Sequence, residues 1–363
     1  MTKERKIGYG ILLGIVTALL VVGSLFDLPI AERVYQPNNI MARLLESVGI
    51  FPPFVFVGAT FAVLFYLIKE DDKKRTLKKV LCVAAVVLTY LVFGYMASET
   101  YLTVMWGRAI FTVIAAGIMT PLTLLFFRNT KPADLKRYCI FLIFASIVSV
   151  VASLLTINVV KFLWGRARYR EMVAEGDAAF SAFTPWYHPN GFTLHGHHSF
   201  PSGHTCAAAT LLSLCALEEV FPEAEKRKQT IAFIIGLYIF SMAYSRLILG
   251  AHFLSDVSVG FLIGFVTYAV ARYFYFEKNR TVLHEIMVLN QPDPSAKEGV
   301  EPEAEALPED AQGSIPEQNG SAEELSQEQS ATQEAVTSEP SEQGSEKPSA
   351  EQPTQAEDAE NNG

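Results

Sequence analysis

Long apolar runs begin near Ile7, Phe51, Val80, Ala109, Tyr138, Thr205, Thr230 and Phe253, each extending for roughly the 20 residues that a helix needs to cross a hydrocarbon core. The pattern predicts an all-α, polytopic membrane helical bundle of about eight transmembrane helices. The first run, from Ile7 to Phe26, is long enough to span and has no small-residue cleavage site after it, so it reads as a membrane helix rather than a removable leader.

The polar positions between these runs orient them. Lys3, Arg5 and Lys6 precede the first; Lys69, Lys73, Lys74, Arg75, Lys78 and Lys79 follow the second; Arg128, Lys131, Lys136 and Arg137 follow the fourth. Lys226, Arg227 and Lys228 follow the sixth, and Lys278 and Arg280 the last. Lys and Arg gather in loops that stay in the cytoplasm, so both termini are expected there. The loops Asp27 to Ile50, Ser98 to Arg108 and Trp164 to Gly203, with a short turn near Gly250, are then expected outside. Arg166, Arg168, Arg170 and Arg246 fall on that outer side against the trend, and such exceptions mark function or interfacial anchoring. Asp27, Glu32, Glu46 and Glu99 lie near the same boundary and read as ordinary solvated loop residues.

Composition divides the 363 residues into two unlike parts. From Gln291 onward nineteen acidic residues face only Lys297 and Lys347, which puts a charge of −17 on the tail and +8 on the rest of a chain whose net charge is −9. The tail has no Phe, Tyr or Trp and cannot bury enough apolar surface to offset the entropy of ordering. Residues 1–286 therefore read as a transmembrane domain and 287–363 as a disordered acidic cytoplasmic tail. Cys82, Cys139, Cys206 and Cys215 all sit in apolar runs, where thiols pack as small hydrophobes. The bilayer is the partner this pattern implies, and nothing in it points to nucleic acid.

Three segments within 161–256 concentrate polar residues at the outer ends of apolar spans: Lys161 to Arg168, Pro201-Ser-Gly-His204, and Ser245 to Asp256. A phosphoryl group in transfer spreads negative charge over its equatorial oxygens and needs several fixed cations and backbone donors. Lys161, Arg168 and Arg246 supply cations, Ser202 and the Gly203 N–H supply donors, and the helix after Ser202 offers its N-terminus. Arg166 stands beside Arg168 as a supplementary cation. A neutral imidazole can attack phosphorus when a carboxylate fixes its tautomer. His252 and Asp256 are four apart, which on a helix beginning near Ala251 places both on one face. His204 is left as the general acid.

These segments resemble the three signature motifs of the type 2 phosphatidic acid phosphatase superfamily, Lys-x6-Arg-Pro, Pro-Ser-Gly-His and Ser-Arg-x5-His-x3-Asp; Tyr169 stands where the first motif has Pro. The resemblance implies a phosphohistidine on His252, oriented by Asp256, with His204 protonating the leaving oxygen. It implies phosphoryl contacts from Lys161, Arg168, Ser202, Gly203 and Arg246, and no metal or other cofactor. It also implies a lipid phosphate as substrate, taken here as undecaprenyl diphosphate, with phosphatidic acid and phosphatidylglycerophosphate as alternatives. Members of that superfamily commonly have six spans, so the pair from Val80 to Phe127 looks like an addition to a six-helix core.

Other readings of the same residues stay open at this level. His188, His195, His197 and His198 have the close spacing of a metal cluster, set against a polar lid carrying Trp186, Tyr187 and Phe192. A lipid or ion transporter would also bury charges among about eight helices, but it would place them at the midplane within a repeat, whereas these gather near span ends. A vanadate-dependent haloperoxidase would share the oxyanion pocket; the many spans favour a membrane phosphatase.

Overall fold

The computed structural model describes residues 3–99, 102, 104–155, 160–192 and 196–288. The acidic tail from residue 289 onward lies outside them. All regular structure among the described residues is helical. The long helices are α1 (Lys3–Val34), α3 (Phe51–Leu67), α4 (Arg75–Ser98), α5 (Met105–Phe127), α6 (Pro132–Leu154), α10 (Lys228–Ile248) and α11 (Leu254–Arg272). The shorter ones are α2 (Ile40–Val48), α7 (Lys161–Trp164), α8 (Tyr169–Glu175), α9 (Gly203–Ala209) and α12 (Arg280–Val288).

Among the described residues, seven helices are long and apolar enough to cross a membrane. The eighth anticipated span, at Thr205, is built differently: α9 passes into a 3-10 stretch, Thr210–Glu219. Because a 3-10 helix rises about 2.0 Å per residue against 1.5 Å for α, the two pieces together reach about 30 Å, the thickness of a hydrocarbon core. On α5, Trp106, Ile110, Val113, Ile118, Leu122 and Phe126 are all exposed. An outward apolar belt of this kind requires lipid around it, and the chain is a multi-pass membrane protein.

Helix α11 occupies the centre, packing on α1, α6 and α9, while α3 packs on α4 and α6, and α4 pairs with α5. The contact between α9 and α11 depends on two glycines one turn apart. A Cβ at Gly260 would stand 2.3 Å from the Ser202 carbonyl oxygen, and one at Gly264 would stand 2.5 Å from Ala209 Cβ. With Ala207, Ala208 and Ala209 buried opposite, this is the small-residue packing that lets membrane helices approach closely.

The outer loop expected between Asp27 and Ile50 is mostly helix. α1 runs on to Val34, and α2 follows behind Asn39, whose side chain accepts the Ala42 N–H at 3.0 Å. The polar residues Asn38, Asn39, Arg43 and Glu46 interrupt the hydropathy there without interrupting the backbone. At the opposite end of the bundle Arg272 is buried and donates to Glu218 (2.7 Å), Glu219 (2.6 Å) and the Tyr268 hydroxyl (2.7 Å), while Arg5 reaches the same Glu218 at 2.6 Å. That network ties α1, the 3-10 stretch and the end of α11 together.

Gly260→Ala should force α11 away from Ser202 at an overpacking cost of about 1–3 kcal/mol, lowering the thermal midpoint in detergent together with activity. Gly236→Ala, where a Cβ meets nothing within 4 Å, serves as the neutral control.

Candidate active site

The three polar segments converge at one end of the bundle and are laced pairwise through their backbones. Ser199 N–H donates to the Arg166 carbonyl (2.9 Å), Ser202 N–H to the Asp256 carbonyl (3.0 Å) and Arg170 N–H to the Gly250 carbonyl (2.9 Å). Gly250 has φ +58°, the left-handed conformation that suits glycine, and a Cβ there would meet the Tyr35 ring at 2.9 Å. Tyr169, in place of the motif proline, is buried at the start of α8 and packs edge-on against Tyr35 with ring centroids 5.1 Å apart.

His252 and Asp256 do not share a helix, contrary to the spacing argument. α11 starts at Leu254, because Asp256 acts as an N-terminal cap, its Oδ2 accepting the Phe253 N–H at 2.8 Å. His252 is held in the turn before it. The atom bonded to its Nδ1 is the Ser199 carbonyl oxygen at 2.5 Å, and Asp256 Oδ2 lies 3.8 Å away. A carbonyl can only accept, so Nδ1 carries the proton and Nε2 keeps its lone pair. Asp256 is one step further back: Oδ2 accepts the Ser199 hydroxyl at 2.5 Å and Oδ1 accepts Arg166 Nη1 at 2.5 Å.

Arg166 was expected as a supplementary phosphate cation, and the structure corrects this. It is 1% exposed, and its donors are committed inside the protein. They go to Asp256, to Asp27 Oδ2 (2.9 Å), to Ser255 Oγ (2.9 Å) and to the Thr184 carbonyl (2.8 Å), with the guanidinium 4.3 Å above the Phe253 ring. Asp27, read as a solvated loop residue, is buried on α1 and also accepts the Ser255 N–H at 3.0 Å and the Ser255 hydroxyl. Its only outward sign in the sequence is an acid at the end of an apolar run.

Glu46 is the second residue misread as solvated. From α2 its Oε1 accepts Arg246 Nη2 at 2.5 Å and Arg170 Nη1 at 3.1 Å, and its carbonyl oxygen lies 2.9 Å from His204 Nε2. His204 therefore carries a proton on Nε2 and turns Nδ1 elsewhere. Ser202 is buried as the cap of α9, its Oγ accepting from Thr205 N–H at 3.4 Å and sharing a bond with Thr205 Oγ at 3.0 Å. Gly203 opens the helix, and a Cβ on it would lie 3.7 Å from Lys161 Nζ. Arg168 Nη1 pairs with Glu171 at 3.1 Å.

Three guanidinium positions, Arg168 Nε, Arg246 Nε and Arg246 Nη1, are buried without an acceptor among the described residues. Buried donors need partners, and an oxyanion between the two arginines would satisfy them. Burial, reinforced by the Arg168 and Arg246 charges, pushes the Lys161 ammonium down to about 8. Burial, reinforced by the charges of Lys161 and Arg246, pushes His252 down to about 3 against the opposing pull of Asp256. The imidazole is therefore neutral across the physiological range.

The histidine-rich loop does not assemble around a common point. His188 is exposed, His197 lies 3.8 Å from Glu171, His198 packs edge-on to Phe162 with ring centroids 5.4 Å apart, and His195 lies outside the described residues. No group of three potential metal ligands forms among the described residues.

Residues 138–280 match the PAP2 superfamily, a stretch that contains all three motif segments. Over 94 residues the chain is 33% identical to a protein named phosphatidylglycerophosphatase B of Bacillus subtilis (strain 168), covering 25% of this chain and 43% of that one. The chain thus spans less than half the length of this relative. No solved structure matches it.

Two outcomes are expected from this geometry. Lys161 must be protonated to hold an anion, so kcat/KM should be full below the pKa and fall as pH rises through about 8, and Lys161→Arg should move that limb beyond the measurable range; a pH–rate profile checks both. Asp27→Asn leaves Arg166 buried with one carboxylate, which should cost about 3 kcal/mol of stability and lower kcat with KM unchanged, because Asp27 touches none of the anion donors.

Proposed function

We propose that this chain, whose residues 138–280 match the PAP2 superfamily, is a lipid phosphatase that works through a phosphohistidine. The observation that carries the proposal is the fixed tautomer of His252, whose Nδ1–H is taken by the Ser199 carbonyl at 2.5 Å. Its Nε2 lone pair is thereby left for phosphorus, within the field of Lys161 and Arg246.

The phosphoryl oxygens are bound by Lys161, by the unpaired N–H groups of Arg168 and Arg246, and by the Gly203 N–H, with Ser202 holding the start of α9 in place. His252 Nε2 attacks phosphorus as the P–O bond to the leaving group breaks. His204, which takes up a second proton together with the anionic substrate and keeps its Nε2–H on the Glu46 carbonyl, gives its Nδ1 proton to the departing oxygen. A water then attacks the phosphohistidine and loses its proton to His204, the P–N bond breaks, and inorganic phosphate leaves with both histidines restored. As His252 becomes cationic, the buried Asp27–Arg166–Asp256 group, with two carboxylates to one guanidinium, offsets the charge. Fixed charge and orientation carry the reaction.

The basic loops orient the bundle with both termini cytoplasmic and the site outside. On that face we take the substrate as undecaprenyl diphosphate, returned as the monophosphate. A second reading, phosphatidylglycerophosphate, has the name of the Bacillus subtilis relative in its favour.

Purified protein in detergent should release phosphate from one member of a panel of undecaprenyl diphosphate, phosphatidylglycerophosphate, phosphatidic acid and water-soluble phosphates; release from none would sink the enzyme reading. His252→Ala should lower turnover by roughly 10⁴-fold or more and abolish acid-labile phosphoenzyme, whereas His204→Ala should still form phosphoenzyme slowly from a substrate with a good leaving group.

A further inference from the structure

A cavity of about 440 Å3 opens sideways from the anion site into the apolar part of the bundle. At its head stand Lys161, Gly203 and His204. Its floor is the first half of α3, at Pro53, Phe54 and Val57, and its walls are α4, at Leu88, Val92 and Met96, and α6, at Val150 and Leu154. Both walls pack along α3, but among the described residues they make no extended contact with each other. The gap between them faces the surface where Leu88, Val92, Val150 and Leu154 are exposed, which in a membrane is the lipid.

We infer that this groove holds the first part of one hydrocarbon chain of the phosphate-bearing substrate, and that α4 is the element that selects that chain. The inference rests on the lipid phosphatase reading for the identity of the head group. Three observations support it. The groove is continuous with the cationic site, so a molecule anionic at one end and apolar beyond it matches both ends at once. From Leu88 to Met96 it follows α4 for about 12 Å, within the outer half of a core about 30 Å thick, so a chain can lie in it and pass out through the gap without leaving the bilayer. Finally, α4 and most of the floor precede residue 138, outside the stretch shared with the PAP2 superfamily. The wall against the chain is therefore built by the part of the protein that the superfamily match does not include, while the head-group end is built by the part that it does. The chemistry and the choice of lipid are divided between separate lengths of sequence.

The experiment pairs labelling with kinetics. A single-chain alkyl phosphonate carrying a diazirine near its head group, photolysed with the wild-type protein in bilayer nanodiscs, should cross-link within residues 88–96 and 149–154, and excess unlabelled phosphonate should suppress this. Cross-links confined to the separate groove between α2 and α10, around Leu45, Leu237 and Tyr238, would overturn the inference. In kinetics, Val92→Trp should raise KM for the long-chain substrate by roughly tenfold and leave hydrolysis of p-nitrophenyl phosphate, which has no chain, unchanged. Equal loss on both substrates, or loss on neither, would also overturn it. Ser153→Phe, from the α6 wall, repeats the test should Val92→Trp fail to fold. If labelling falls in the groove while no phosphate is hydrolysed, the phosphatase reading fails and the groove stands as a binding site for a lipid anion.

Discussion

The guanidinium of Arg166, held between Asp27 and Asp256, is the constraint on which the rest of this end of the bundle depends. It joins α1 to the start of α11, and through Asp256 and the Ser199 hydroxyl it sets the loop whose carbonyl fixes His252. A buried cation between two carboxylates is costly to desolvate and is retained only where its hydrogen bonds are met. Here they are met, by four acceptors and an aromatic face. The surplus carboxylate also leaves the cluster one charge negative, close to the His252 ring.

Around this clamp the protein solves a problem particular to its setting. Irregular backbone is tolerated at membrane depth only where protein or water covers it, yet the segments 165–168, 196–202 and 249–253 are all non-helical. Ser199 N–H bonds to the Arg166 carbonyl, Ser202 N–H to the Asp256 carbonyl and Arg170 N–H to the Gly250 carbonyl, so these segments brace one another and the helices beside them. The two close approaches at Gly250 and Gly260 let them do so without intervening side chains. The same lacing brings Lys161, Arg168 and Arg246 from distant segments to one end of the bundle.

Much of this was legible in the sequence, for identifiable reasons. The spans were visible because hydropathy over about 20 residues is a strong signal, and the motif residues stood out because ionised groups are expensive there. The span at Thr205 was legible as an apolar run although its 3-10 half makes it an unusual helix. What could not be read were partnerships. Asp27 and Glu46 look like loop acids until the fold places arginines against them, and Arg166 looks like a free cation until its acceptors arrive from α1 and α11. Ser199 gave no sign at all, because its decisive atom is a backbone carbonyl, which every residue possesses. The four-residue spacing of His252 and Asp256 suggested a shared helix, but Asp256 spends its carboxylate capping the helix it begins.

The contact between Asp27 and Ser255 spans 228 residues of sequence, which has a consequence for how the molecule comes into being. During synthesis α1 is made first and α11 last of the long helices, so Asp27 can meet Arg166 before Ser255 exists. Arg166 is without Asp256 until the last long helix, α11, has begun. A chain that lacks α11 has Arg166 paired with Asp27 alone and has no Asp256 to hold the Ser199 hydroxyl, so the loop that fixes His252 loses its constraint. The arrival of α11 and the ordering of the His252 loop are thus one event.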